Sequence, residues 1–215
     1  LKAGLLDKRL RLNAATFIYD YTNLQAQDSI ANQPIIRNVG KAEVRGAEVE
    51  FAALLGNVFQ LDGSVTYLDA VFTEGELTEP LRPAPLTDEP GSTLRNLDGL
   101  RLPRAPEWKM NIGAQADFAA FGGDLTLRAD YAWQDQVFFT VFNINAASQD
   151  SHGVLRARAT YAPGHGQYKV ALFGENLTDE TYFTNQILTG TTYGAEFGGS
   201  LGAPRTFGIE LSTQF

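Results

Sequence analysis

Cysteine is absent from the 215 residues, and histidine occurs only as His152 and His165. Without cysteine, disulfides, thiolate metal sites and cysteine nucleophiles are excluded. The spacing of the two histidines fits no metal-binding motif, so we predict neither a metal site nor another cofactor. No apolar run approaches the roughly 18 residues of a membrane-spanning helix. If this chain crosses a membrane, it must do so as β-strands.

Positive charge is also scarce, because 17 lysines and arginines stand against 25 aspartates and glutamates, a net charge of −8. A nucleic-acid partner would require a dense basic surface, and no lysine or arginine cluster supplies one. The segment Leu1–Leu12 begins without Met and mixes charges into its apolar residues, unlike a signal peptide. We therefore expect this sequence to be a piece of a longer protein.

Several segments alternate apolar and polar residues, the pattern of tilted strands that span a membrane. Phe59, Val65 and Tyr67 share one face of such a segment, and Asp62 shares the other with Gln60, Ser64 and Thr66. The phase set by Leu10, Leu12 and Ala14 slips before Phe17, Tyr19 and Tyr21, which predicts a bulge. The pattern predicts about eight strands, at 9–23, 39–54, 57–72, 104–119, 122–138, 152–162, 167–181 and 203–215.

The predicted connections are of two kinds. The segments 55–57, 120–123 and 163–166 are short and rich in Gly, Asn and Pro, whereas 73–103 and 183–201 are long and irregular. Outer-membrane barrels show this asymmetry, with tight periplasmic turns and long extracellular loops. A soluble β-sandwich acting as a binding module would also have alternating strands, and it remains an alternative at this point.

The residues that could do chemistry have a simpler explanation. Paired carboxylates can act as acid and base, but mixed charges also line the solvated inside of a barrel, which we favour for Glu48, Glu50, Asp62, Asp117 and Asp130. Ser200 has Gly-x-Ser-x-Gly spacing, yet no predicted helix and no histidine follow it. We therefore predict that the protein is not an enzyme.

Five stretches together resemble the TonB-dependent receptors, in the branch that takes up iron–siderophore complexes. They are RLRLNAATFIYDYTNLQ (9–25), NVGKAEVRGAEVEF (38–51), LPRAPEWKMNIG (102–113), ENLTDETYF (175–183) and GAPRTFGIELSTQF (202–215). The last also resembles the signal by which outer-membrane barrels are recognised for assembly, carried by Phe207, Ile209, Leu211 and Phe215. Thr213 departs from that signal, because an aromatic or larger apolar residue is common there.

The resemblance implies an all-β, antiparallel transmembrane barrel of about 22 strands, of which residues 1–215 form the C-terminal part. A plug domain and the segment that engages the TonB complex would lie upstream. It further implies outer-membrane lipid of a Gram-negative bacterium, the barrel-assembly machinery and an iron chelate or similar nutrient as partners. A self-contained small barrel with an adhesin or structural role is the alternative.

Aromatic and amide side chains in the predicted extracellular loops are the candidates for cargo contact. Aromatic rings can hold the apolar body of a chelate, while a few polar groups fix its orientation. The candidates are Phe138, Phe139, Phe142, Asn143, Tyr182, Phe183, Asn185, Gln186 and Tyr193.

Overall fold

The computed structural model describes residues 1–30, 33–79, 94–164, 168–189 and 196–213. Within these ranges, no helix is long and apolar enough to cross a membrane. A single 3-10 helix, Asn145–Ala147, accompanies the strands there. The strands are β1 (Lys2–Leu5), β2 (Leu10–Ile30), β3 (Gln33–Leu55), β4 (Phe59–Thr78), β5 (Leu94–Asn96), β6 (Trp108–Ala120), β7 (Gly123–Gln134), β8 (Val137–Phe138), β9 (Ser148–Gln149), β10 (His152–Pro163), β11 (Tyr168–Glu175), β12 (Phe183–Thr189), β13 (Glu196–Leu201) and β14 (Thr206–Thr213).

One large antiparallel sheet holds most of these strands, in the order β1-β2-β3-β4-β6-β7-β10-β11-β14, with β5 paired to β4. The eight predicted strands are β2, β3, β4, β6, β7, β10, β11 and β14, which confirms the antiparallel all-β prediction. The sheet is open, because among the described residues β1 pairs with β2 alone and β14 with β11 alone. Phe215 and His165 lie outside the described residues.

The predicted boundaries were wrong mainly at the end of the sheet that carries the long connections. β4 continues to Thr78 because β5 pairs with it, and the supposedly irregular stretch 183–201 contains the hairpin β12–β13. β11 ends at Glu175 because Asn176 has a φ of +50° and hydrogen-bonds Glu180, donating to its carbonyl at 2.8 Å and accepting from its N–H at 2.9 Å. Asn176 therefore forms the local turn that its residue type favours.

The predicted bulge before Phe17 was also wrong. β2 and β3 pair without interruption from Leu10↔Ala53 to Tyr21↔Ala42, and the irregularity comes later, around Asn23 with its φ of +57°. Phe17 therefore lies on the face opposite Leu12, and its ring packs directly over Gly46. Tyr19 and Tyr21 follow on the same face, with ring centroids 5.3 Å and 6.3 Å apart along the row.

The two faces of the sheet differ in chemistry, as alternation requires. On the polar face, Arg128 bonds Asp62 at 2.9 Å and Asp130 at 2.5 Å, and further ion pairs are Arg156–Glu175 and Arg158–Glu210. The opposite face exposes a continuous set of large apolar side chains: Phe59, Val65, Trp108, Ile112, Leu127, Leu172 and Ile209. In the part of the chain that the structure describes, no second large sheet covers this face, which argues against the soluble sandwich.

Aromatic pairs border the apolar face at both ends. Phe59 and Phe118 meet edge to face at 6.2 Å near the short turns, and Tyr67 and Trp108 lie 4.9 Å apart near the long connections. Eight residues at about 3.3 Å each separate Phe59 from Tyr67, or roughly 20 Å of height at a tilt of about 40°. This height approaches the apolar band of about 25 Å between the aromatic girdles of an outer-membrane barrel. The apolar face therefore has nearly the height of a lipid-facing band.

Candidate ligand-binding site

The long connections gather at one end of the sheet. Their described parts are the segments 94–107, 135–151, 176–189 and 196–205, whereas the turns at the other end, such as Phe121–Gly122, are short. A hydrophobic core at this end joins Leu97 and Phe142 of the connections to Val39 of β3 and to Phe72 and Leu77 of β4, with Leu24, Leu100 and Leu102 packed against it. The predicted asymmetry of the connections is therefore present, and the described parts of the first two long ones pack against the ends of β2, β3 and β4.

Phe142 and Asn143 hold two of these connections together. Phe142 is only 8% exposed within the core. Asn143, with a φ of +51°, donates to the carbonyl of Arg101 at 2.9 Å and accepts from its N–H at 2.8 Å. Both residues were predicted to contact cargo; their packing and hydrogen bonds show a structural role, and their contact with cargo stays a prediction.

A cavity of about 270 Å³ lies among the long connections. Three of its lining residues were predicted cargo contacts, namely Phe139, Tyr182 and Phe183. Three others carry or can carry positive charge, and none of these was predicted to contact cargo: Arg104, Lys109 and His152.

Strand register places Lys109 and His152 on one face. Lys109 on β6 lies opposite Gln134 on β7, which in turn lies opposite His152 at the start of β10. Because neighbouring Trp108 points the other way, this row belongs to the polar face, and the cavity opens there. The ring of Tyr182 stacks on the His152 imidazole, with the ring centroids 4.4 Å apart and the planes inclined by 22°. Both residues line the cavity, and the phenol ring forms one of its walls.

Arg104 connects all three long segments. Its backbone N–H donates to the carbonyl of Phe138 at 2.9 Å, and its guanidinium donates to Asn185 Oδ1 at 2.6 Å. The N–H of Phe183 donates to Gln149 Oε1 at 2.7 Å, which attaches the β12–β13 hairpin to the neighbouring connection. Phe138 and Asn185, both predicted contacts, therefore support the wall of the cavity.

The charge of the cavity is positive. No carboxylate of the described residues lies within 4.0 Å of the Arg104 or Lys109 side-chain nitrogens, whereas Arg101, close by, pairs with Glu107. Phe139, Tyr182 and Phe183 line the same cavity, so the two cations can attract an anion and hold a planar group beside aromatic rings.

The remaining predicted contacts lie elsewhere. Gln186 is 8% exposed and does not line the cavity, and its Oε1 has no hydrogen-bond partner among the described residues. Tyr193 is outside the described residues. The described ranges also contain no cluster of three or more His, Asp or Glu side chains that could hold a metal ion. Ser200 lies inside β13, paired with β12, and not in the strand–turn–helix geometry of a nucleophile elbow.

Two of the larger hollows face different surroundings. A groove of about 580 Å³ runs along the apolar face between Phe59, Leu127 and Phe207, where lipid chains would lie. A second, of about 630 Å³, lies on the polar face beside Asp62, Asp130 and Arg156. The first lies on the apolar face, and in the second the carboxylates of Glu50, Asp62 and Asp130 outnumber the arginines Arg11 and Arg156. The smaller cavity among the long connections has cations and aromatic rings but no carboxylate in its lining, so it is the better candidate for contact with cargo.

An open antiparallel sheet with one face for lipid and one charged face defines a wall of a transmembrane β-barrel. The family model for the β-barrel of TonB-dependent receptors matches residues 1–177, and the chain belongs to that family. Proteins of this family reside in the outer membrane of Gram-negative bacteria. No sequence among the curated proteins matches the chain.

Solved structures show the same fold at low sequence identity. The ferric yersiniabactin uptake receptor FyuA of Yersinia pestis is 19% identical, with a TM-score of 0.75 over 96% of this chain and 28% of its own. The Acinetobacter baumannii siderophore receptor PiuA is 21% identical, with a TM-score of 0.71 over 98% of this chain and 26% of its own. BauA, the ferric preacinetobactin receptor of Acinetobacter baumannii, is 23% identical, with a TM-score of 0.67 over 100% of this chain and 28% of its own. The chain thus spans little more than a quarter of each receptor.

Proposed function

We propose that the chain is part of an outer-membrane receptor that imports an iron–siderophore complex or a similarly scarce nutrient, with energy supplied through TonB. The observation that carries this proposal is the family match over residues 1–177. The structures named above, receptors for ferric siderophores, support the choice of cargo. In this function the polypeptide binds and transports, and catalyses no reaction.

In the complete receptor, residues 1–215 form the C-terminal part of the barrel, and a plug and the earlier strands precede them. The TonB complex engages a segment upstream of this chain. The barrel-assembly machinery recognises the last strand, on which Phe207, Ile209 and Leu211 are exposed along one face. The apolar face between the aromatic pairs contacts outer-membrane lipid.

The alternative, a self-contained small barrel with an adhesin or structural role, fits the sheet less well. A closed barrel needs its first and last strands to pair with each other. In the described residues, β1 and β14 lie at opposite edges of the sheet instead. An incomplete wall of a wider barrel accounts for both free edges.

Uptake by the source bacterium tests the proposal. Iron-starved cells, with and without the receptor gene, are given radioactive iron as catecholate, hydroxamate and carboxylate complexes, and cell-associated iron is counted. We expect uptake of at least one complex to disappear in the deletion strain and to return with the gene. Disabling the TonB system should abolish the same uptake. If deletion leaves the uptake of every complex unchanged, the proposed cargo class is wrong.

A further inference from the structure

The small cavity concentrates positive charge that has no carboxylate partner among the described residues, in a chain whose net charge is −8. In the middle of the polar face, Arg128, Arg156 and Arg158 each have a carboxylate partner. In the cavity, Arg104 makes its one described side-chain hydrogen bond to the neutral amide of Asn185. Since a guanidinium carries five N–H groups, Arg104 retains donors for a ligand.

The aromatic residues add a preference for shape. The Tyr182 ring, stacked on His152, forms one wall, and Phe139 and Phe183 contribute two others. Flat apolar surfaces favour a ring or another planar group over a branched or fully hydrated one. Cations beside such surfaces favour a planar group that carries a carboxylate or a similar negative charge, because a guanidinium can bind it through two parallel hydrogen bonds.

The size of the cavity limits what it can take. Sites for whole drug-sized ligands run from about 300 to 1,000 Å³, and this cavity has about 270 Å³. It therefore accommodates one chemical group of a larger cargo and leaves the rest of the cargo to the polar face and other surfaces of the receptor.

We propose that the cavity binds one planar, anionic group of the cargo, of the aryl carboxylate type, through Arg104 and Lys109. This inference rests on the proposed function, because it takes the cavity to meet the transported molecule. It distinguishes among possible cargoes: a nutrient without an anionic group would gain nothing from these two cations.

Direct binding of a small probe to the full-length receptor in detergent micelles tests the inference. The probe is 4-fluorobenzoate, observed by fluorine NMR, and the neutral comparison is 4-fluorobenzamide, which has a similar shape without the charge. We expect the benzoate to bind and the benzamide to bind at least about tenfold more weakly, the factor expected from losing one charge-assisted hydrogen bond.

Variants then locate the site. Arg104→Gln combined with Lys109→Gln should weaken benzoate binding by about tenfold or more. Lys109→Gln alone should weaken benzoate binding several-fold. This single variant still tests the site if the Arg104 substitution disturbs folding, because Lys109 makes no described side-chain hydrogen bond. Lys169→Gln is the matched control, since Lys169 lies on the same face near the opposite end of the sheet; it should bind like the wild type. Equal binding of benzamide, unchanged binding in a folded Lys109→Gln receptor, or no benzoate binding to the wild type would each overturn the inference.

The uptake experiment separates this inference from the proposed function. If deletion abolishes iron uptake while benzoate binding does not depend on the two cations, the proposed function stands and the inference fails. If the benzoate binds as expected while deletion affects the uptake of no iron complex, the cavity is assigned correctly and the cargo is not an iron chelate.

Discussion

Replacement of Phe142 by Ala should loosen the long connections without loosening the barrel wall. Phe142 is 8% exposed and packs with Phe72, Leu77 and Leu97. Truncation of a buried Phe costs about 3–5 kcal/mol, and we expect the lower end, about 3 kcal/mol, because connections near a surface can partly collapse onto the space. A loss of that size raises the population of the undocked state about 100-fold.

Amide hydrogen exchange of the full-length receptor in micelles measures this effect. The N–H of Leu97 donates to the carbonyl of Gly75 at 2.8 Å, and that of Leu102 donates to Ala70 at 2.9 Å, so both are protected only while the connection lies against β4. In Phe142→Ala these amides should exchange about 100-fold faster, while amides shared by β6 and β7 should keep their wild-type rates.

Phe139→Ala is the matched control, since Phe139 lines the cavity and lies outside the core. It should leave exchange at Leu97 and Leu102 close to wild type. The reasoning is refuted if Phe142→Ala leaves these two amides protected, or if β6 and β7 exchange faster by the same factor, since the core and the wall would then unfold as one unit.

Two further predictions concern the barrel wall. Gly46→Val should reduce the yield of folded receptor, because an added Cβ would overlap the ring of Phe17. The yield is measured as the fraction that resists unfolding by detergent on unheated gels. Gly4→Ala should leave the yield unchanged, because the space around Gly4 is open. Leu127→Arg should cost about 2–4 kcal/mol, since it places a charge on the lipid-facing side, and Gln115→Arg, on the polar face, should cost far less. Urea unfolding in lipid vesicles measures both; equal costs for the two arginines would contradict the assignment of the faces.

The strands of the sheet were predictable because their signal is local. A strand with one apolar and one polar face alternates with a period of two, and β6, β7 and β10 show this within about twelve residues each. The upper part of β4 was missed because its partner is the segment 94–102, which gives no alternating signal of its own. The aromatics of β2 were assigned to the wrong face because the predicted bulge would have moved Phe17 onto the face of Leu12. The pairing of β2 with β3 is unbroken there, so Phe17 lies on the opposite face.

The candidate site was predictable only in part. Phe139, Tyr182 and Phe183 were found because aromatics in loops are unusual enough to be noticed one at a time. Arg104, Lys109 and His152 carry no such mark in the sequence. They meet because β6, β7 and β10 pair in one particular register and because the connection that contains Arg104 reaches the same cavity. Neither arrangement can be predicted from a short stretch of the sequence.

The arrangement of charge explains why cargo contact should be concentrated at one end of the wall. In the middle of the polar face, Arg128 is held between Asp62 and Asp130, and breaking such partly buried pairs would leave a charge without its partner. A ligand would have to offset that cost there. Around the cavity, Arg104 and Lys109 pair with no carboxylate of the described residues, so an anion gains their attraction without that cost. The middle of the wall, where charged side chains pair with one another, therefore suits a permanent polar surface. The end that carries the cavity suits reversible binding of an anion.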